Sequence, residues 1–219
     1  MNIILATRNK KKAEEMQKIL GAAGTVPNLP PSAGNSGTVL IVSVLTLQDF
    51  PECPDVIEDG DTFEANAVKK ALHTAKHTGM IAVADDSGLE VDALNGAPGV
   101  FSARYAGEPS DDKKNLEKVL QKMKDVPDEK RTARFVCCIA LALPDGNVKT
   151  FLGYVEGKIG RVPRGNNGFG YDPVFYPDGH DRTFAEMSDN EKNALSHRGR
   201  ALRKLQEYLL QTTEGTERE

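Results

Sequence analysis

Residues 80–107 read MIAVADDSGLEVDALNGAPGVFSARYAG, and the architecture follows from how this stretch begins. Its apolar run, Met80–Ala84, stops at two adjacent carboxylates, Asp85 and Asp86. A short continuous apolar run predicts a strand buried on both faces, as inside a parallel or mixed sheet covered by helices. In such sheets ligands bind beyond the carboxyl ends of the strands. Successive strand residues point to opposite faces, so both carboxylates reach one pocket only if the chain turns between them. Ser87-Gly88 is expected to supply that turn. Sheet packing alone does not ask for two carboxylates there, which makes this strand end a candidate site.

Outward toward the N-terminus, Asn2–Ala6 predicts a short apolar strand, Thr7-Arg8-Asn9 a loop, and Lys10–Leu20 a helix with Ala13, Met16, Ile19 and Leu20 apolar. The free N–H groups at such a helix start attract phosphate, and Thr7, Asn9 and the lysines add donors and charge. From spacing alone, Lys10-Lys11-Lys12 reads as a solvated helix face. Three cations nonetheless oppose the helix dipole, which favours anions at this end by about 0.3–1 kcal/mol, a misfit that a bound phosphate relieves. Thr25–Thr38, rich in Pro, Gly, Ser and Asn, predicts a flexible insertion, and Val39–Leu47 a strand. Asp61 followed by Glu64 fits an acidic capping box for a helix over about Thr62–Thr78, with Gly79 as its C′ residue. Asp59 and Asp61 then read as turn and cap residues.

Toward the C-terminus, Asp111-Asp112 caps a helix from Lys113 to about Lys124, to which only structure is assigned. Arg131–Leu143 predicts an apolar strand, joined through an Asp145-Gly146 hairpin to a second over Val148–Val155. Cys137 and Cys138 sit mid-strand as core fillers. The glycine-rich stretch Gly157–Pro173 lacks the lysine and following helix of a Walker A loop and has the wrong order for a dinucleotide fingerprint. Glycines beside Phe169 and Tyr171 let backbone approach a flat ligand while an aromatic face stacks on it, worth about 1–3 kcal/mol per base. Taken alone, the stretch is an ordinary aromatic turn. Ser188-x-x-Glu191 is a capping box opening a helix to about Leu210 with Leu195, Leu202, Leu205 and Leu209 on its core face, and Gln211–Glu219 reads as a frayed tail.

With 219 residues, 39% hydrophobic and 27% charged, one globular domain is expected over 1–211, with an insertion at about 25–38 and a disordered tail at 212–219. A formal net charge of −4 disfavours general polyanion binding, so no nucleic-acid partner is expected. Three cysteines without a C-x-x-C pair indicate neither a disulfide framework nor a zinc site and suit a reducing compartment. No apolar run approaches the roughly 18 residues of a membrane span, so no membrane partner is expected and the cytoplasm is the default location.

The run ADDSGL-x-V-x-A-L-x-G-A-P-G-x-x-SARYAG, residues 84–107, resembles the inosine triphosphate pyrophosphatase family, which hydrolyses non-standard purine nucleoside triphosphates to monophosphate and pyrophosphate. The resemblance covers nearly the whole chain apart from about Gly21–Pro54 and the tail. It implies an α/β fold with a long mixed β-sheet flanked by helices, in two lobes with the nucleotide cleft between them. Thr7, Asn9 and Lys12 match the family's T-x-N-x-x-K, with Arg8 where glycine is often found and Lys10 and Lys11 inside the motif. Glu58 matches a metal-binding glutamate, and Asn66 to Ala71 match N-A-x-x-K-A, directing Lys70 toward phosphate. Ser87 falls inside the central run and is implied to contact substrate. The motif G-F-G-Y-D-P puts Phe169, Gly170, Tyr171 and Asp172 around the purine, and E-K-N-x-x-S-H-R brings Lys192, His197 and Arg198 to the nucleotide. Magnesium, Mg2+, held by Glu58 and Asp86 and by phosphates, is the implied cofactor, a pattern usual for that ion. Asp86 is the implied catalytic residue, polarising or deprotonating water, and no nucleophile pattern points to a covalent intermediate. The resemblance further implies a homodimer acting on ITP, dITP and XTP. The alternatives are a nucleotide pyrophosphatase of the septum-formation-inhibitor type and a non-catalytic nucleotide sensor.

Overall fold

The computed structural model describes residues 2–20 and 43–215. Its sheet is made of β1 (Asn2–Leu5), β2 (Ser43–Thr46), β3 (Ile81–Val91), β4 (Thr132–Ala142), β5 (Val148–Ile159) and β6 (Phe175–Pro177), in the order β2-β1-β3-β4-β5-β6. β1 runs parallel to β2 and β3, and the remaining neighbours are antiparallel, so the sheet is mixed as expected. Among the described residues five α-helices cover it: α1 (Lys10–Leu20), α2 (Phe63–Thr78), α3 (Asp112–Lys122), α4 (Asp189–Leu195) and α5 (His197–Gly215). Among the described residues, no helix is long and apolar enough to cross a membrane.

Alternation along β3 divides the core. Ala82 and Ala84 face α2, whose Ala67, Ala71 and Ala75 are fully buried against them. Small side chains on both partners let this helix lie close to the sheet. The other face carries Val83, in a cluster with Met16 of α1 and Leu205 of α5, and then Leu89, in a second cluster with Phe135, Phe175 and Phe184. Asp85 and Ser87 occupy the two same-face positions between these clusters. Cys137 and Cys138 fill opposite faces as expected, and burial pushes both thiols up, that of Cys138 to about 12.

Four expectations change. β3 does not turn at Ser87-Gly88; it pairs with β4 without a break from Ala82↔Ala142 to Val91↔Ala133. Asp, Ser and Gly read as turn formers, but Asp85 and Ser87 have partners on the sheet face. Gly88 serves close approach instead, since a Cβ there would lie 2.4 Å from Ser102 Oγ and 2.5 Å from the Gly99 carbonyl. Asp85 and Asp86 therefore stand on opposite faces. The N-cap of α2 is Thr62, not Asp61: its side chain accepts from Ala65 N at 3.1 Å, and Gly79 closes the helix at φ 67°. The expected helix from Ser188 to about Leu210 is two helices, because Ser196 is extended at ψ 156° and its Oγ accepts from Gly199 N at 3.1 Å, opening α5. α5 continues to Gly215, past the expected start of the tail. The insertion expected at 25–38 and the start of the strand expected at Val39 lie outside the described residues.

β1 ends before β3 does. Ala6 N bonds to Val83 O at 2.8 Å, and beyond that point the β3 edge has lost its parallel neighbour. Its backbone finds side chains instead, Asp85 O accepting from Lys70 Nζ at 2.6 Å and Leu89 N donating to Ser102 Oγ at 2.9 Å. A cleft of about 460 Å³ opens here, beyond the carboxyl ends of β1 and β2, where parallel strands expose their binding ends.

Candidate active site

The turn from β1 into α1 forms one wall. Asn9 caps the helix, its Oδ1 accepting from Lys12 N at 3.2 Å, while Thr7 Oγ1 accepts from Asn9 N at 3.2 Å. Arg8 is held by Asp55 and donates to Cys53 O at 2.6 Å. Thr7, Arg8, Asn9 and Lys12 line the cleft; Lys10 and Lys11 are exposed and do not. Lys11 instead lies 3.7 Å from Asp112 and 5.8 Å from the Phe169 ring centre, across the mouth.

On the α2 side, Asp86 is 5% exposed and accepts from Asn66 Nδ2 at 3.0 Å. Lys70 Nζ lies 2.9 Å from Glu58 Oε1 and 3.7 Å from Asp86 Oδ1, so one ammonium stands between the two carboxylates. Asn66 also braces the turn after Glu58, accepting from Gly60 N at 2.8 Å. Burial raises the Asp86 carboxyl above its ordinary value, against the pull of Lys70 and Lys12 and with help from Glu58. Burial works against the Lys70 ammonium, yet Asp85, Asp86 and Glu58 raise it overall. Among the described residues, no group of three or more His, Cys, Asp or Glu forms a ready metal cage. Two carboxylates facing one cation are instead the partial oxygen set of a hard divalent ion that completes its shell with water and phosphate.

On the other face Asp85 is fully buried within a chain of alternating charges. Arg198 donates to Asp85 Oδ2 from Nη2 at 3.1 Å and to Ser87 Oγ at 2.8 Å, and its Nη1 reaches Glu15. Lys12 Nζ is 3.0 Å from Asp85 Oδ2. Lys192 continues the chain, 3.4 Å from Glu15 and 2.7 Å from Asp172. Burial alone would raise the Asp85 carboxyl; Lys12, Arg198 and Lys70 together hold it well below the usual range. Burial likewise opposes the Arg198 charge, but Asp85 and Glu15 stabilise it. The Asp172 carboxyl is raised by burial despite Lys192.

At the far end Phe169 is half-buried, with Lys192 Nζ 4.8 Å and Arg198 Cζ 5.7 Å from its ring centre. Asp172 accepts from Phe169 N at 2.8 Å, so the Lys192 counter-ion also sets this turn. Gly170 N donates to Asp112 Oδ2 at 3.2 Å. Tyr171 is a core residue as much as a wall: it is 4% exposed and its hydroxyl donates to Ser102 O at 2.8 Å. His197 stacks on Phe135 at 4.7 Å between ring centres, its Nδ1 has no partner among the described residues, and burial keeps it neutral.

The cleft thus brings together Thr7, Arg8, Asn9, Lys12, Glu58, Lys70, Asp86 and Ser87 with the Phe169–Asp172 turn, Lys192, His197 and Arg198. Sequence reasoning missed Glu15, Asn66 as a ligand of Asp86, and Asp112. Glu15 lies three residues after Lys12, hence on its helix face, and Asn66 four before Lys70; that spacing was the available signal.

The sequence model of the Ham1 family matches residues 3–208. A dITP/XTP pyrophosphatase of Desulforamulus reducens is 48% identical over 209 residues, covering 95% of this chain and 96% of that protein. One from Bacillus cereus is 54% identical over 170 residues, 77% of this chain and 83% of the relative. Among solved structures, a HAM1 protein from Coxiella burnetii superposes with TM-score 0.80 at 43% identity, covering 96% of this chain and 99% of the other. A nucleoside-triphosphatase, dITP/XTP pyrophosphatase, from Mycobacterium abscessus does so with TM-score 0.71 at 46% identity, covering 94% and 98%. The family resemblance carried by residues 84–107 and by the flanking motifs is thereby borne out, and the chain belongs to the Ham1 family.

Proposed function

We propose that this chain is a nucleoside triphosphate pyrophosphatase that converts dITP, XTP and ITP to the monophosphate and pyrophosphate. It would thereby keep deaminated purines out of DNA and RNA. The observation that carries this is the division of the cleft. Paired carboxylates Glu58 and Asp86 stand with Lys12 and Lys70 at one end, and Phe169 stands at the other with a neutral His197 whose Nδ1 has no hydrogen-bond partner among the described residues. Polyphosphate and purine each have a complementary surface, and the names of the relatives agree with that substrate class.

Water attacks phosphorus, the bond between the α- and β-phosphates breaks, and Asp86 takes the proton from the attacking water. Its carboxylate faces the phosphate end of the cleft beside Lys70, where general-base help is worth about 10²–10⁴-fold. Lys12, Lys70 and the α1 start orient the phosphates. Glu58 and Asp86 would hold magnesium, which when bound neutralises charge on the departing pyrophosphate. At the base end Arg198 is consumed by Asp85, Glu15 and Ser87, so it positions the pocket, and His197, whose Nδ1 has no partner among the described residues, is the polar group assigned to the purine 6-carbonyl. An adenine amino group presents a donor where the carbonyl presents an acceptor; a buried mismatch costs about 1–3 kcal/mol. The same reading carries a homodimer in the cytoplasm, one catalytic domain per chain and no nucleic-acid partner.

Pyrophosphate release from ITP, XTP, dITP, GTP, ATP and dTTP with magnesium tests the proposal. Turnover of the first three, with little from ATP, is expected. Preference for dTTP would favour the septum-formation-inhibitor type, and binding of ITP without cleavage a sensor.

A further inference from the structure

Nearly every cation lining the cleft already has a carboxylate. Arg8 pairs with Asp55, Lys12 with Asp85, Lys70 with Glu58, Lys192 with Asp172 and Arg198 with Asp85. Arg104 lines the same cleft and has no carboxylate within ion-pair distance among the described residues. Its guanidinium makes one hydrogen bond there, from Nη2 to the backbone carbonyl of Glu58 at 2.9 Å. Its Cζ lies 5.2 Å from the centre of the Phe101 ring, which supports one face of the fork. Nε and Nη1 have no protein acceptor among the described residues.

The side chain is half-buried, and the segment that carries it is fixed. Residues 99–104 form a 3₁₀ turn held on the β3 edge by Ser102 Oγ, which accepts from Leu89 N at 2.9 Å and donates to Gly99 O at 2.6 Å. A guanidinium partly withdrawn from water without a counter-ion is an unfavourable arrangement that an arriving anion relieves. A planar fork with free N–H groups matches phosphate in particular. The link to Glu58 sets Arg104 at the carboxylate end of the cleft, away from Phe169, so the anion is the polyphosphate and not the base.

We propose that Arg104 is a further substrate-binding residue, holding the polyphosphate through Nε and Nη1 while Nη2 keeps the Glu58 segment in register. This deepens the proposed pyrophosphatase function and rests on it. One side chain then couples arrival of the triphosphate to the position of a carboxylate needed for its cleavage.

Arg104→Met removes the charge and keeps much of the packing on Phe101; Arg104→Lys keeps the charge and loses the fork. Each is compared with wild type for ITP turnover, for inhibition by inorganic triphosphate, for the ITP-to-GTP preference and for melting temperature. Arg104→Met is expected to raise KM for ITP and the inhibition constant of inorganic triphosphate by about 10–100-fold. The base preference should stay unchanged, and Arg104→Lys should recover part of the loss. Constants within about twofold of wild type in Arg104→Met, with only a lower melting temperature, would overturn the proposal. So would a change confined to the magnesium requirement, which would leave Arg104 acting through Glu58 alone. If wild type does not cleave ITP, the functional reading fails separately. Calorimetric binding of inorganic triphosphate to wild type and Arg104→Met then still decides the role of Arg104.

Discussion

Asp85 and Asp86 are the same residue type, adjacent on one strand and both buried, yet the two faces of β3 give them opposite chemistry. Asp85 looks toward α1 and α5, where Lys12, Arg198 and Ser87 converge on it. Asp86 looks toward α2, where an amide from Asn66 is its near donor and Lys70 stands 3.7 Å away, shared with Glu58. Burial acts on both, and positive charge within reach decides the outcome: the Asp85 carboxyl is held down and the Asp86 carboxyl is raised. An anchor must stay ionised, whereas a base must keep some appetite for a proton. The fold separates these roles simply by letting the strand run straight through both residues.

The sharpest break of this comparison is kinetic. Asp86→Asn keeps the shape of the side chain and removes its basicity, and kcat for ITP should fall by about 10²–10⁴-fold with the circular dichroism spectrum unchanged. A variant retaining more than a tenth of wild-type turnover would remove Asp86 from the chemistry. Asp85→Asn should act on the fold instead. It leaves Arg198 with Glu15 as its one carboxylate among the described residues and deprives Lys12 of its partner, and breaking a buried pair from one side costs about 3–5 kcal/mol. Urea unfolding should therefore show a large loss that Asp85→Asn/Arg198→Met partly restores. If Asp85→Asn unfolds like wild type but loses turnover as Asp86→Asn does, the division of labour between the faces is wrong.

Sequence made the elements legible where local chemistry and tertiary packing agree. The apolar β1, the α1 boundaries, Gly79 as the end of α2 and the Asp145-Gly146 hairpin needed only period and turn chemistry. The central strand was legible up to Ala84 and misread after it. Asp85 and Ser87 look like turn residues until their partners are known, and those partners come from α1 and α5, over 70 residues away on one side and over 110 on the other. The split between α4 and α5 was hidden for a similar reason, since Leu195 and Leu202 continue one apolar stripe across Ser196. Candidate site residues recognisable by motif line the cleft with the exception of Lys10 and Lys11; those that hold other cleft residues, such as Glu15 and Asn66, carried only helix spacing, which a solvated face shows as well.

The pH dependence of stability gives the smallest and most specific test. Asp85 has a folded pKa below its unfolded value near 3.9, so its contribution is present above about pH 4 and is lost as the pH falls below that. Asp86 behaves in the opposite sense. Its folded pKa is raised, so the stabilisation belongs to the protonated form, is complete below about pH 4 and disappears as the pH rises through the folded value. At neutral pH the native protein therefore carries an ionised Asp86 at a cost, and an asparagine, which stands in for the protonated carboxyl, does not. Asp86→Asn should melt above wild type at pH 7, and the two should converge near pH 4. Asp85→Asn should show the reverse pattern, its deficit greatest at pH 7 and shrinking in acid. A lower melting point for Asp86→Asn at pH 7 would mean that Lys70 outweighs burial at this carboxylate, and the chemical contrast between the two faces of β3 would collapse to a difference in packing alone.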